Sequence, residues 1–251
     1  MGKEVRSNFN NDLKASDELS VYLDKNFYPQ LSRLYHYYIS FHRMTEYDID
    51  YKGADILCTN KDGAIIPFDE KATLDYISNE RPLSTFAFEL GFLRDGYFIE
   101  GWLTSREKLT KGYVLVWPYG RIDQKAELQV DLAEIMLIRR KTLLSILYED
   151  YDFSIDFLRS EAINVVRDND HSCYYRDNYG RYTGRVSDDR MIKFVHSIQK
   201  NERPLNIIIK KDVLAKAARE VFWLKTGKRI KRIKEENYYS PEKWSDVDSF
   251  F

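Results

Sequence analysis

The sequence predicts an α/β protein. Three observations lead there: helical apolar spacing at the start of the chain, short apolar strands separated by Asp-Gly turns through its middle, and a strand followed by a helical pattern near residue 210. A chain of 251 residues is long enough for one sizeable core. Neither a repeat nor a low-complexity linker interrupts it, so residues 1–251 read as a single α/β domain.

Each element has a local cause. Ser16-Asp17-Glu18 predicts a helix start, because a serine cap with acids in the first turn complements the helix dipole. Leu19, Tyr22, Leu23 and Phe27 follow at helical spacing. Pro29 either breaks that helix or opens a second, aromatic one over residues 30–44. From about Ile49 the period changes. DILCT is a strand, Asn60-Lys61-Asp62-Gly63 a turn, and AIIPFDEKA the returning strand. Pro67 argues for an edge or a bulge there. STFAFELGFL and YFIEGWLT form a second hairpin around Arg94-Asp95-Gly96. YVLVWPY is apolar without alternation and predicts a strand buried on both faces.

Past Arg121, EIMLIRR and KTLLSILYED read as a strand and a helix, or together as one long helix. Residues 168–190 read as a polar loop or an extended hairpin. PLNIIIKK is a strand, and DVLAKAAREVFWLKTG an amphipathic helix capped by Asp212. The remaining tail is charged and expected to be peripheral.

Composition excludes some functions. The 39 basic and 40 acidic residues nearly cancel, so the chain as a whole is not a basic nucleic-acid-binding protein, although a local basic patch is compatible with that balance. Two cysteines make neither a disulfide framework nor a Cys-rich metal site. The polar start and the lack of a long apolar run predict a soluble, cytoplasmic protein without a membrane span. His36, His42, His171 and His196 show no zinc spacing and read as structural or surface residues. Cys58 reads as a buried thiol.

The chemistry concentrates at Asp55 and Asp69-Glu70-Lys71. Side chains alternate along a strand, so Asp69 and Lys71 share one face and Glu70 points to the other. The Asp62-Gly63 turn brings Asp55 back towards them. Two carboxylates suit a hard divalent cation that also takes waters and substrate phosphate. A lysine beside them can stabilise charge developing on that phosphate.

This arrangement resembles the PD-(D/E)xK nuclease superfamily. The resemblance covers residues 12–120 and implies a restriction-endonuclease-like mixed β-sheet flanked by helices, with residues 121–251 as a C-terminal α/β elaboration. It implies hydrolysis of DNA phosphodiesters, with RNA as the alternative substrate, using Mg²⁺ or Mn²⁺. Asp55 and Asp69 would be metal ligands and Lys71 the catalytic lysine. Ala54 stands where the family has proline. Members also carry an acid on the preceding helix; Asp17 and Asp24 are the candidates, and Asp17 is taken as a third ligand.

Glu89, in an apolar strand, could add a contact to the same site. Two further regions suit nucleic acid: the basic run Lys225, Lys228, Arg229, Lys231, Arg232 and Lys234, and the Tyr/Arg-rich stretch containing Arg176, Arg181 and Arg185. The alternative reading is a non-catalytic interaction module on an α/β scaffold, which the aromatic surplus and near-neutral charge also suit.

Overall fold

A computed structural model describes residues 9–35, 38–44, 53–122, 127–168, 175–176, 182–183, 192–197, 200, 202–233, 237–238, 240–248 and 250–251. Helix α1 (Phe9–Asn26) turns directly into α2 (Tyr28–Tyr35). Ser16 therefore lies inside α1 and is not its cap. Pro29 is the second residue of α2, where a missing N–H costs nothing. The expected long aromatic helix stops at Tyr35 and gives way to β1 (Tyr38–Arg43).

The hairpin of β2 (Ile56–Asn60) and β3 (Ile65–Ala72) forms as expected. Its turn is closed by Asn60, whose Oδ1 accepts the N–H groups of Asp62 and Ala64. Gly63 supplies the positive φ of 78° that the turn needs. Strand β4 (Thr85–Arg94) pairs with β5 (Tyr97–Glu100) across Asp95-Gly96, both with positive φ. Next come β6 (Gly112–Ile122), β7 (Leu128–Arg139), α3 (Arg140–Glu149) and α4 (Ile155–Asp168), so EIMLIRR is strand and KTLLSILYED helix. The short pair β8 (Tyr175–Arg176) and β9 (Tyr182–Thr183) is followed by β10 (Ile192–His196) and β11 (Leu205–Lys210).

Helix α5 (Lys211–Ala217) is short, and β12 (Ala218–Lys225) replaces the second half of the expected amphipathic helix. Asp212 sits in the first turn of α5 and does not cap it. Strand β13 (Lys231–Ile233) and helix α6 (Trp244–Asp248) complete the chain. Trp244 and Val247 are buried, so the tail is packed against the core and is not peripheral.

A seven-stranded mixed sheet runs β1, β2, β3, β6, β7, β12, β13, and a second sheet runs β10, β11, β4, β5. Among the described residues, only the β3–β6 pair is parallel in the large sheet. Helices flank it on both faces. Strand β6 shows why the sheet is buried on both sides. Tyr113, Leu115 and Trp117 face one core, shared with β4, β11, α3 and α4. Val114 and Val116 face the other, shared with Leu19, Leu23, Phe27 and Leu31 of α1 and α2.

Pro67 is on an interior strand, contrary to the edge expectation. It escapes the ladder because pairing with β6 begins one residue later, at Phe68, while its carbonyl accepts the Lys111 N–H at 2.8 Å. Strands β7, β12 and β13 belong to the same sheet as the hairpin, and β11 pairs with β4. Residues 121–251 therefore supply three of the seven described strands of the large sheet and two of the four in the second.

Gly112 opens β6 against the hairpin. A Cβ there would stand 2.6 Å from the Phe68 ring and 3.0 Å from the Ile138 carbonyl oxygen. The Phe68 ring is 1% exposed and has little room to yield. Gly112→Ala is expected to cost about 1–3 kcal/mol in urea denaturation, by overpacking. An unchanged midpoint would show that the ring relocates freely.

Candidate active site

A parallel pair needs a crossover between its strands. Between β3 and β6 the chain goes out through β4 and β5 and returns along residues 101–111. That return path lays Trp102 and Lys108 beside the face of β3 that carries Asp69 and Lys71. It is stitched down by Thr110, whose hydroxyl donates to the Gly53 carbonyl at 2.8 Å. Gly53 has φ +86°, and a Cβ on it would lie 3.0 Å from the Lys108 stem. The glycine thus serves the turn and leaves room for the lysine.

Asp55 is placed by the end of a ladder. Its N–H donates to the Phe68 carbonyl, the last backbone bond between the two strands of the hairpin. The next N–H on that edge of β3 belongs to Glu70, and the Asp55 carboxylate accepts it at 2.7 Å. The carboxylate so replaces a missing strand, and in doing so comes to rest beside Asp69.

Lys71 Nζ donates to Asp69 Oδ1 and lies 3.9 Å from Asp55 Oδ2. Its ammonium also sits 5.7 Å from the centre of the Trp102 ring, within cation–π reach. Lys108 Nζ is 3.8 Å from Asp69 Oδ2. That oxygen is buried and accepts no hydrogen bond. Asp55, Asp69 and Lys71 are thus brought together as the sequence places them. Lys108 is a further member, with no motif in the sequence to reveal it.

Glu70 faces the opposite side of the strand, as alternation requires. There it accepts from Ser20 Oγ at 3.1 Å, from Arg43 Nη1 at 2.6 Å and from the Tyr28 hydroxyl. Arg43 also donates to both oxygens of Asp24. Glu70 therefore anchors β3 to α1, α2 and β1, and fixes the strand whose other face carries Asp69 and Lys71.

The expected third ligand is corrected. Ser16, Leu19, Ser20 and Leu23 form the face of α1 towards β3 and line a cleft with Lys71. Yet α1 packs on the Glu70 face of β3, opposite Asp69 and Lys71, and Asp17 on it is exposed. Among the described residues no group of three or more His, Cys, Asp or Glu side chains could hold a metal ion. Two carboxylates remain.

Glu89 is half-buried, and its carboxyl is raised by burial and by Glu202, with Lys108 and Lys71 pulling it down. It therefore feels the two site lysines, though no hydrogen bond joins it to them. Cys58 is a buried free thiol, and His196 is buried while His42 is exposed. His36, His171, Lys234 and most of the Tyr/Arg-rich stretch, including Arg181 and Arg185, lie outside the described residues. No described helix is long and apolar enough to cross a membrane.

Burial pushes the Asp69 carboxyl up to about 7; Lys71 pulls it down, Asp55 raises it further and Lys108 lowers it. The Lys71 ammonium is itself raised, because Asp69 and Asp55 together outweigh its burial. In the unfolded chain an aspartate titrates at about 3.9. The folded protein thus holds a proton that the unfolded chain releases. That stabilising contribution is complete below about 4 and is lost as pH rises through 7. Wild type is expected to lose stability relative to Asp69→Asn over that window, by about 1.4 kcal/mol for each unit of the shift. Urea denaturation in chelator at several pH values measures it, and a pH-independent difference would contradict the raised carboxyl.

The residues fit a small hard cation on two grounds: the donor set is all oxygen, and one buried carboxylate oxygen lacks a hydrogen bond. Mg²⁺ commonly binds through one or two carboxylates, completing its shell with water and substrate phosphate. No family model, characterised protein or solved structure matches this chain.

Proposed function

We propose that the protein is a divalent-metal-dependent nuclease that hydrolyses DNA phosphodiester bonds at Asp55, Asp69 and Lys71. The observation that carries the reading is the burial of Asp69 beside a second carboxylate and a lysine, with Oδ2 accepting no hydrogen bond. Buried carboxylates are costly unless compensated. Asp69 is buried next to the half-exposed Asp55, and a cation would offset the cost of holding the two carboxylates together.

Asp55 and Asp69 would hold Mg²⁺ or Mn²⁺. When bound, the ion supplies Lewis acidity towards a phosphoryl oxygen and makes water more acidic. Lys71 contributes a fixed ammonium next to that place, positioned by Asp69 and by the Trp102 ring. It stabilises negative charge growing on the phosphoryl group. Lys108 adds a second positive charge on the loop side. The Glu70 anchor keeps β3 from shifting as charge changes across it.

One observation favours a purely structural reading. The Asp55 carboxylate already has a job, accepting the Glu70 N–H, and Lys71 already neutralises Asp69. The two readings part in a direct experiment. Purified protein is incubated with plasmid, single-stranded and flapped DNA in Mg²⁺ or Mn²⁺, and Mn²⁺ is titrated calorimetrically. Metal-dependent cleavage that disappears in Asp69→Ala supports the nuclease. Absence of both cleavage and binding heat leaves the structural reading.

A further inference from the structure

A second cleft, of about 670 Å³, opens on the other side of Lys108. The crossover loop at residues 108–111 forms one wall. Helix α3 and the turn into α4 form the other. Four cations line it: Lys108, Lys111, Arg140 and Lys141. Among the described residues that line it, none is acidic. In a chain with a net charge of −1, that local excess marks a surface with a negatively charged partner.

The four cations are not equivalent. Arg140 is spent on the loop, donating to the Leu103 and Ser105 carbonyls, both at 2.9 Å. It holds the wall in shape. Lys111 and Lys141 are exposed, and neither makes an ion pair or a side-chain hydrogen bond with a described residue. They are available to a ligand. Lys108 connects the cleft to the chemistry, since its ammonium is 3.8 Å from Asp69 Oδ2.

The cleft is not only a charged surface. Its floor includes Leu144 and Ile155, and Tyr148 stands at its rim with 58% of its surface exposed. A duplex offers phosphates on its outside and has no use for an apolar floor. A single strand offers phosphates and unstacked bases together. Basic side chains that follow the backbone, with an aromatic ring for a base, are the means by which single strands are held.

We propose that this cleft binds a single-stranded polynucleotide, with Lys111 and Lys141 on its phosphates and Tyr148 against a base, and that Lys108 leads the strand to Asp69. The assignment of the strand as substrate rests on the nuclease reading; the binding itself does not. A folded anionic protein or an anionic membrane would need neither the base-sized ring nor the continuity with Asp69.

The test separates binding from cleavage. Fluorescence anisotropy of a labelled twenty-nucleotide oligothymidylate is measured with Asp69→Asn protein in chelator, so that no strand is cut. Lys111→Glu with Lys141→Glu on that background is expected to weaken binding about tenfold or more. It is also expected to reduce the slope of log affinity against log salt by about 0.7 for each phosphate no longer neutralised. Tyr148→Ala is expected to weaken binding severalfold without changing that slope. These side chains are exposed, and circular dichroism checks that the variants fold. Unchanged affinity in the charge-reversed protein overturns the cleft assignment and leaves the nuclease reading untouched. Tighter binding of a duplex of equal length, or binding to phosphatidylserine-containing vesicles in preference to the oligonucleotide, also overturns it. Loss of oligonucleotide binding in the variant, with no metal-dependent cleavage by wild type, supports the cleft and removes the nuclease.

Discussion

Under the proposed nuclease reading, replacing Lys71 with methionine is expected to preserve Mn²⁺ binding and to cut DNA hydrolysis by about 10²–10³-fold, the usual effect of deleting one preorganised charge-stabilising group. The reasoning follows from where the ammonium sits. It donates to Asp69 and lies 3.9 Å from Asp55, so it competes with any second cation for the same carboxylates. Methionine keeps the unbranched shape against Trp102 and removes the competitor. Ion affinity should hold or rise while turnover falls. Asp69→Asn removes a ligand instead and should lose both the binding heat and the cleavage. Calorimetry and a cleavage assay on the two variants give a pattern that a simple folding defect does not produce. If Lys71→Met cleaved DNA as fast as wild type, the lysine would be no more than the counter-charge of Asp69.

Glu134→Ala is expected to destabilise the protein by about 3–5 kcal/mol, the range for stripping one partner from a buried ion pair. Glu134, on β7, and Lys211, at the start of α5, have fully buried side chains 2.5 Å apart. Tyr238 donates to the other carboxylate oxygen at 3.0 Å. The Lys211 ammonium lies 4.6 Å from the centre of Trp117 and 5.6 Å from that of Trp244. Burial lowers the Lys211 pKa, and the Glu134 charge partly restores it. Without Glu134 the ammonium must deprotonate or draw water into the core. A double variant, Glu134→Leu with Lys211→Met, has no charge left to desolvate and should recover most of the stability. Equilibrium urea denaturation of the single and double variants settles the point. A double variant as unstable as the single one would show that packing, not the stranded charge, carries the cost.

Much of this fold is legible where local signals agree with the final environment. The two hairpins are marked by Asp-Gly pairs that need positive φ, and β6 by an apolar run that turns out to divide two cores. The errors fall where local preference and tertiary placement conflict. KDVLAKA favours a helix and continues naturally into AREVFWLK, yet that second half pairs with β7 because the edge of β7 needs a partner. Similarly, Tyr38 to Arg43 follow a helix and carry no turn signal, so only their pairing with β2 reveals a strand. Ser16 resembles a cap because it precedes two acids, but nothing in those residues says that the helix has already begun.

The site divides in the same way. Asp55, Asp69 and Lys71 follow from alternation and a turn, which are local. Lys108 comes from a loop 37 residues beyond Lys71 and reaches Asp69 only because the crossover folds back. Asp17 fails because helix α1 packs on the Glu70 face of the sheet, opposite Asp69 and Lys71. Helix α1 presents Ser16 and Ser20 to β3, and its neighbouring acid turns to solvent.

The position of β6 in the middle of the large sheet has a practical consequence for protein engineering. Its whole length pairs with β7, from Gly112 opposite Arg139 to Ile122 opposite Leu128. A truncated chain ending near residue 120 would keep every residue of the acidic motif. It would also leave a long apolar strand with one row of amide groups unpaired, which is a template for intermolecular stacking. Such a fragment should accumulate as inclusion bodies, so a minimal soluble unit carrying the acidic motif cannot be obtained by trimming this protein from its C-terminal side.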